Sequence, residues 1–341
     1  MKRIVLLLLS FALALGTATA QTTGKPAPTK HPFLWRIEGK GVKVQSFLFG
    51  TMHLGDDRLL AIPPVVEKAR DHADALYCEL ALDQMAKHQL KLTKLMLLPK
   101  GQKLSKILPE DVAGMLDKKL KTLGASLKKF DHFKIWAVPM LLAQLEASKL
   151  GMLKSLDSKL YMDAKRDDKE VGGLENIDEQ MKAISSGTRE EQIARMRESL
   201  AHIAKLEAKG ENALMKMLEI YLMGDEVKLM NYIEEVMGDN DELNDKFMKP
   251  LLDDRNERMA NRIAGMLTSN PTKKYFFAVG ALHFVGATGI TTLMRKKGYR
   301  ITRITPPAAS WEDLIKMRTE LTELRKEVRR LKKELEAAKK K

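Results

Sequence analysis

Two apolar, strand-like segments near opposite ends of the chain end in the same pattern, Gly-x-x-His, as FLFGTMHLG and FAVGALHFVG. The first contains Gly50 and His53, and the second contains Gly280 and His283. Ligands bind to α/β sheets beyond the carboxyl ends of the strands, where a glycine allows the backbone to turn sharply. The repeat therefore predicts one sheet that brings both histidines to a single crevice. Either histidine alone is equally consistent with a structural role.

The remaining periodicity predicts where the other elements lie. Residues 83–165 and 178–265 are helical in pattern, and a further helix begins at the proline pair of IPPVVEKARDHA. Short strand patterns are FLWRIEG, VKVQSFLFG, ADALYCEL, KEVGGLE, KKYFFAVGAL and YRITRI. Strands at both ends with helices between them predict an α/β fold whose central sheet is built from sequence-distant strands with large helical insertions.

Two glutamates end strand patterns and complete the candidate site. In ALYCEL the two-residue period places Glu79 on the face opposite Cys78, so Glu79 ends a buried strand and needs a metal ion or a histidine as partner. Cys78 is interpreted as a small core residue. Glu175 ends VGGLE in the same way, with Gln180 five residues later. The alternative for Glu175 is an acidic residue at the start of the next helix.

Two histidines with one or two glutamates make a typical catalytic metal inventory, with nitrogen and oxygen ligands and positions open for water. A divalent metal ion, of a kind that the sequence does not specify, would activate water for hydrolysis near neutral pH. The single cysteine excludes zinc or iron–sulfur sites made of several cysteines. The chain has no H-E-x-x-H, G-x-S-x-G or G-x-x-x-x-G-K-[ST] motif, so it lacks those familiar alternatives.

The net charge of +14 suits a nucleic-acid-binding protein, but the aromatic content does not. The sequence has only 10 Phe, 6 Tyr and 3 Trp, and the basic residues are spread through helical segments rather than gathered around aromatic ones. We therefore expect no nucleic-acid partner. The basicity is interpreted as a property of solubility or of contact with the cell envelope.

Residues 1–20 have the composition of an export signal. Lys2 and Arg3 precede an apolar run of about a dozen residues, and Ala18-Thr19-Ala20 is a small-x-small cleavage site. The run is shorter than the roughly 20 residues that span a bilayer. We expect cleavage after Ala20, a linker over residues 21–32, no transmembrane segment in the mature chain, and a periplasmic or secreted location. The alternative is an apolar first strand.

The tail, residues 306–341, has a heptad pattern that predicts a coiled-coil helix after the breaker TPPAAS. The a positions are Leu314, Leu321, Val328 and Leu335, and the d positions are Met317, Leu324, Leu331 and Ala338. Glutamates at g and basic residues at e are opposite in sign between two parallel chains. This predicts a parallel homodimer through residues 311–341. The alternative is a single amphipathic helix that folds back on the domain.

Five blocks together resemble the TraB/GumN family, which includes the Tiki-type proteases: FLFGTMHLG, ALYCEL, LENIDEQ, RNERMANRI and FFAVGALHFVGATGITTLMRKKGYRI. The resemblance runs from about Phe33 to Ile304, so we expect a domain over residues 33–305. It implies an α/β domain and, in the animal relatives, metal-dependent proteolysis. The site that it implies consists of His53, Glu79, Glu175, Arg255 and His283.

These observations predict an exported, metal-dependent hydrolase, most simply a peptidase acting on a peptide or protein substrate. His53, His283 and Glu79 are the expected metal ligands, with Glu175 as general base or additional ligand. Arg255 is a candidate carbonyl or oxyanion clamp, although its position in a helical pattern, taken alone, favours a surface residue. The alternative function is a non-catalytic envelope binding or scaffold protein that self-associates through its coiled coil.

Overall fold

The computed structural model describes residues 31–238 and 240–305, together with Glu327, Arg330 and Leu331 of the tail. The chain divides into two compact units, Met1–Ile304 and Thr305–Lys341. The predicted export signal and nearly all of the predicted linker lie outside the described residues. Most of the predicted coiled coil does too. The three described tail residues are helical, and the coiled coil stays a prediction.

The centre of the first unit is a six-stranded mixed sheet with the order β4-β3-β5-β2-β1-β6. The strands are β1 (Leu34–Glu38), β2 (Ser46–Thr51), β3 (Ala75–Cys78), β4 (Glu170–Gly173), β5 (Tyr275–Gly280) and β6 (Arg300–Arg303). Strands β4, β3, β5 and β2 are mutually parallel, and β1 pairs antiparallel with both β2 and β6. The predicted hairpin and the predicted sheet of sequence-distant strands are therefore confirmed.

Helices fill the two long insertions, as predicted. Two helices precede them, between β2 and β3: α1 (Asp57–Leu60) and α2 (Pro64–His72). The insertion between β3 and β4 contains α3 (Met85–Met96), α4 (Leu104–Ile107), α5 (Glu110–Thr122), α6 (Leu127–Phe130), α7 (Ala137–Lys149) and α8 (Leu156–Arg166). The insertion between β4 and β5 contains α9 (Ile177–Ile184), α10 (Arg189–Glu207), α11 (Ala213–Met223), α12 (Glu226–Met237), α13 (Asp241–Met248) and α14 (Asp254–Ser269), and α15 (Ile290–Lys296) follows β5. Short 3₁₀ turns cover Leu82–Gln84 and Ala281–Phe284, and a π turn covers Lys249–Asp253. No helix within the described ranges is long and apolar enough to cross a bilayer.

The sheet separates two apolar cores because successive strand residues point to opposite faces. Ala75 belongs to the core that packs under α11 and α14, whereas Leu76 and Cys78 belong to the core that packs under α2 and α8. This confirms the predicted assignment of Cys78, which is 2% exposed, to the interior of the opposite layer. A third apolar core joins α4, α5, α6, α7 and α10 and gives the helical insertions an interior of their own.

Candidate functional site

The four parallel strands end at one edge of the sheet, and the candidate site residues come directly after the strand ends in the sequence. Thr51 of β2 lies opposite Gly280 of β5, and Cys78 of β3 lies opposite Gly173 of β4. Within three residues of those strand ends come the four residues that the sequence singled out: His53, Glu79, Glu175 and His283. The sheet therefore brings together at one edge side chains up to 230 positions apart in the sequence.

Glu79 lies at the centre of the site and is 8% exposed. Its Oε1 accepts a hydrogen bond from the Gly280 backbone N–H at 2.9 Å. The same oxygen lies 3.5 Å from His53 Nε2 and 3.7 Å from His283 Nε2. Both imidazoles therefore present the same ring nitrogen to one carboxylate oxygen.

The two glycines of the repeated motif are required for close approach. A Cβ at Gly280 would lie 3.1 Å from both Glu79 Oε1 and His53 Nε2. A Cβ at Gly50 would lie 2.7 Å from the Phe33 Cβ. Neither glycine has a positive φ, so these positions need glycine for its lack of a side chain and not for a left-handed backbone conformation. The space that a side chain would fill is occupied by Glu79 and His53 at Gly280 and by Phe33 at Gly50.

Asp157 fixes the orientation of His53. It lies in the first turn of α8 and is 7% exposed, and its Oδ1 accepts a hydrogen bond of 2.6 Å from the Thr51 hydroxyl. Its Oδ2 lies 3.0 Å from His53 Nδ1, a hydrogen bond in which the imidazole donates. The backbone holds the two segments together because the Leu156 N–H donates to the Leu54 carbonyl at 3.1 Å. His53 itself is half exposed and open to solvent on its other side.

Asn256 does the same for His283. Its amide Nδ2 donates to the Thr288 carbonyl at 3.1 Å, which leaves Oδ1 to face His283 Nδ1 at 2.6 Å. An amide oxygen only accepts, so the hydrogen-bond network assigns the proton of His283 to Nδ1. The lone pair of Nε2 therefore faces Glu79 Oε1, at a separation beyond hydrogen-bond distance.

Arg255 bridges the two glutamates, Glu79 and Glu175. Its Nη2 donates to Glu79 Oε2 at 2.7 Å, and its Nε donates to Glu175 Oε2 at 2.8 Å. Gln180 donates a further hydrogen bond of 3.0 Å to Glu79 Oε2. The side chains of Arg255 and Glu175 are 5% and 0% exposed, so the surface position expected for Arg255 from its helical pattern is wrong. Their charges are compensated inside the protein rather than by water.

The surroundings shift the pKa values of the three central groups in different directions. The negative charge of Asp157 raises the pKa of His53 well above its usual value. Burial lowers the pKa of His283 to about 3, so this imidazole is neutral at pH 7. Burial alone would raise the pKa of Glu79, but His283, His53 and Arg255 outweigh it and hold that pKa well below the usual range. The site thus contains an ionised carboxylate beside one neutral histidine.

Asp157 and Asn256 were not predicted from the sequence, although the position of Asn256 in its helix indicates a buried role. Arg255 and Asn256 lie on the apolar stripe of α14, since Met259 and Ala260 follow each of them by four residues and are fully buried. Two polar residues on a stripe of this kind indicate a buried polar role. Asp157 has no such trace, because an acidic residue in the first turn of a helix is ordinary.

The donor atoms have the chemistry that a divalent metal ion prefers, but they do not form a finished ligand set. Metal-ligating histidines usually hold their second ring nitrogen against a carboxylate or a carbonyl oxygen, as Asp157 and Asn256 do here. Ligands of one tetrahedral ion at about 2.1 Å lie roughly 3.4 Å apart, close to the separations around Glu79 Oε1. Across the described ranges, however, no group of three or more His, Cys, Asp or Glu side chains is placed to hold a metal ion.

Comparison with known proteins gives one family and a set of animal relatives. The model of the TraB/PrgY/gumN family matches residues 33–303. The chain is 26% identical to the protein named Metalloprotease TIKI2 of Danio rerio over 328 residues, which cover 83% of this chain and 63% of the relative. It is 24% identical to Metalloprotease TIKI homolog of Nematostella vectensis, covering 82% of this chain and 69% of the relative.

The human relative, Metalloprotease TIKI1, is 25% identical over 331 residues, which cover 84% of this chain and 64% of that protein. The chain thus spans a little under two thirds of the length of several of these relatives. No solved structure matches the chain significantly. Since the family model covers nearly the whole of the described sheet and its helices, the chain belongs to the TraB/PrgY/gumN family.

Proposed function

We propose that this chain is a metal-dependent peptidase whose site is the carboxyl edge of the sheet around Glu79. Relatives that are 25–26% identical to the chain are named metalloproteases, which supports metalloprotease chemistry. The convergence of His53, His283 and Glu79 supports that location. A peptide or protein is the substrate class, and a divalent ion is the cofactor.

The relation between His283 and Glu79 is the observation that carries this proposal. A neutral imidazole presents the lone pair of Nε2 to a carboxylate oxygen 3.7 Å away, so two acceptors face one another in a buried place. A divalent cation held by His283 and Glu79 would satisfy both acceptors. His53 would be the third residue to hold it, and because that side chain is half exposed, one side of the site stays open to a substrate.

A divalent ion held there would polarise the scissile carbonyl and lower the pKa of a water molecule toward about 7. The protein's own residues hold the ligands in place. Asp157 and Asn256 fix the imidazoles, while Arg255 and Gln180 anchor the outer oxygen of Glu79.

Glu175 and Arg255 are better assigned to positioning than to the reaction itself. The Glu175 side chain has no exposed surface, and Arg255 already donates to Glu175, to Glu79 and to the Leu251 carbonyl. Because the Arg255 guanidinium already bridges these three partners, it is a poor candidate for a carbonyl or oxyanion clamp. Because the Glu175 carboxylate is fully covered, it does not reach a water molecule beside a substrate and is a poor candidate for the general base.

The experiment compares metal content and peptide cleavage of the purified chain with those of His53→Ala and His283→Ala. We expect both variants to lose the ion and the activity. His72→Ala is the matched control, since His72 is exposed at the end of α2 and precedes the start of β3, at the opposite end of the strand from the site. If neither site variant lowers metal content or cleavage relative to the control, the enzyme assignment fails and the non-catalytic binding or scaffold protein replaces it.

Asp157→Asn tests the positioning argument separately. The amide of asparagine has no negative charge and only one acceptor oxygen, so it should hold the His53 ring less firmly than the carboxylate does. Changes of this kind typically reduce metal affinity about 10–100-fold. Titration with a metal chelator measures that affinity without reference to a substrate. An unchanged affinity would show that His53 needs no orientation by Asp157.

Export to the periplasm or the exterior belongs to the same proposal. It rests on the composition of residues 1–20 and on the small residues before Gln21. Expression of the full chain with an N-terminal sequence determination on the exported protein tests it. A mature chain beginning at Gln21 is expected, and exported protein that retains Met1 contradicts the assignment.

A further inference from the structure

Helix α3 lies on the surface with none of its twelve residues buried. Its sequence, MAKHQLKLTKLM, is nevertheless amphipathic, with apolar residues at helical spacing. Leu90 at its middle is 67% exposed. Leu92, Leu95 and Met96 are half-buried against the domain, and Leu90 is the apolar residue that the domain leaves exposed.

A groove runs along this helix. Its wider part has a volume of about 470 Å³ and is lined by Lys87, Leu90, Lys91, Lys94, Leu95 and Lys134. An adjoining cavity of about 220 Å³ shares Leu95 and Lys134 and extends to Trp136 and Met181. The floor is therefore apolar and aromatic, while the rim is a row of ammonium groups.

The charge of the groove is strongly one-sided. Lys87, Lys91 and Lys94 follow one another at spacings of four and three, which places them along one side of the helix. The only carboxylate among the lining residues of both cavities is Asp178, which is paired with Lys91 at 2.5 Å. The rim as a whole keeps a net positive charge and favours an acidic occupant.

The chain's own remaining segments do not fit such a rim. Residues 306–341 contain eleven Lys and Arg against seven Asp and Glu, and residues 21–32 contain two lysines and no acidic residue. A second copy of a chain with net charge +14 is disfavoured for the same reason. The adjoining cavity of about 220 Å³, which reaches Trp136 and Met181, can accept an apolar side chain of a peptide.

We propose that this groove, lined by α3, Lys134 and Trp136, binds an acidic amphipathic peptide segment of a partner protein. Carboxylates of the segment pair with the lysines of the rim, and its apolar side chains cover Leu90 and reach Leu95 and Trp136. This is helix-in-groove recognition, in which apolar anchors at helical spacing supply affinity and the charges select the partner. The proposal does not depend on the chain being a peptidase.

The test measures fluorescence anisotropy of a labelled peptide of about four helical turns, made of glutamates with leucines at helical spacing, against the full chain. A peptide with lysines in place of the glutamates is the charge control. We expect the acidic peptide to bind and the basic one not to bind. Lys87→Glu combined with Lys94→Glu should weaken the acidic peptide by at least about tenfold, and Leu90→Gln should weaken it as well.

The matched control variant combines Lys128→Glu and Lys129→Glu, which reverse two equally exposed lysines on α6 outside the groove. Its affinity should equal that of the unchanged protein. Equal losses in the two double variants would mean attraction to net charge rather than to the groove and would overturn the proposal. Binding of the unchanged protein to phosphatidylglycerol vesicles without binding of the acidic peptide would also overturn it, in favour of a membrane surface. Circular dichroism confirms that each variant is folded.

Discussion

The buried bridge from Arg255 to Glu79 and Glu175 makes a quantitative prediction about stability. Replacing Arg255 with Met keeps most of the side-chain volume but removes the charge that two buried carboxylates share. The side chains of the three residues are 5%, 9% and 0% exposed, so water does not replace the lost partner. Arg258 reaches Glu175 from the edge at 3.3 Å and compensates only one of the two charges.

The expected cost follows from these numbers. Removing one partner from a buried ion pair costs about 3–5 kcal/mol, because the remaining charge stays buried. Typical domains have about 5–15 kcal/mol of stability, so Arg255→Met should still fold but unfold at a markedly lower urea concentration. Combining it with Glu175→Gln removes one of the two buried carboxylate charges that Arg255 balanced, and the double variant should recover about 1–3 kcal/mol relative to additivity.

Urea unfolding followed by circular dichroism at pH 7 measures these free energies. Arg197→Met is the matched control, because Arg197 makes a comparable two-bond pair with Asp111 on the surface, where the side chains are 41% and 55% exposed. That variant should lose far less stability than Arg255→Met, because water replaces the lost partner of an exposed charge. A loss at Arg255 no larger than the loss at Arg197, or strict additivity in the double variant, would refute the reasoning.

Three further predictions concern other parts of the chain. Cys78→Ala should cost about 1–3 kcal/mol of stability and leave metal binding unchanged, as unfolding and metal titration will show, since the Cys78 side chain packs in an apolar core and not among the candidate ligands. A hydrogen bond from Arg262 lowers the pKa of Glu179 to about 2, so this group stabilises the fold above about pH 4.5 and loses that effect toward pH 2. Glu179→Gln should therefore remove about 1 kcal/mol at pH 7 and flatten that part of the acid unfolding curve, and an unchanged curve would contradict it. Removing the tail after Pro306 should abolish a weak, concentration-dependent dimer in sedimentation, whereas two chains of identical monomeric behaviour would contradict the predicted coiled coil.

The strand ends could be predicted from the sequence because the two-residue period and the glycines are local signals. Glu79 and Cys78 were assigned to opposite layers from six letters of sequence, and the cores confirm that Cys78 lies in the layer predicted. The same argument placed His53 and His283 at one edge of one sheet, since parallel strands end together. Local periodicity was sufficient wherever the backbone itself determined the position of the residue.

The partners of those residues could not be predicted in the same way. The contact from Asp157 to His53 spans 104 residues, and the one from Arg255 to Glu79 spans 176. These pairs depend on how α8 and α14 pack against the sheet edge, which a local pattern does not determine. Arg255 shows the effect most clearly, because its neighbours in the sequence suggest a solvated helix whereas its neighbours in space are two carboxylates.

The parallel pairing of β2 with β5 determines when, during synthesis of the chain, the candidate site can form. The Tyr275 N–H donates to Ser46 Oγ across 229 residues, and closing a loop of that length costs on the order of 5 kcal/mol in chain entropy before any contact compensates it. A growing chain therefore has His53 and Glu79 but lacks both His283 and β5, the strand that joins β2 to β3. Chain synthesis must pass the second histidine before the edge exists at all. Any reaction that depends on this edge therefore cannot occur until almost the whole domain has been synthesised.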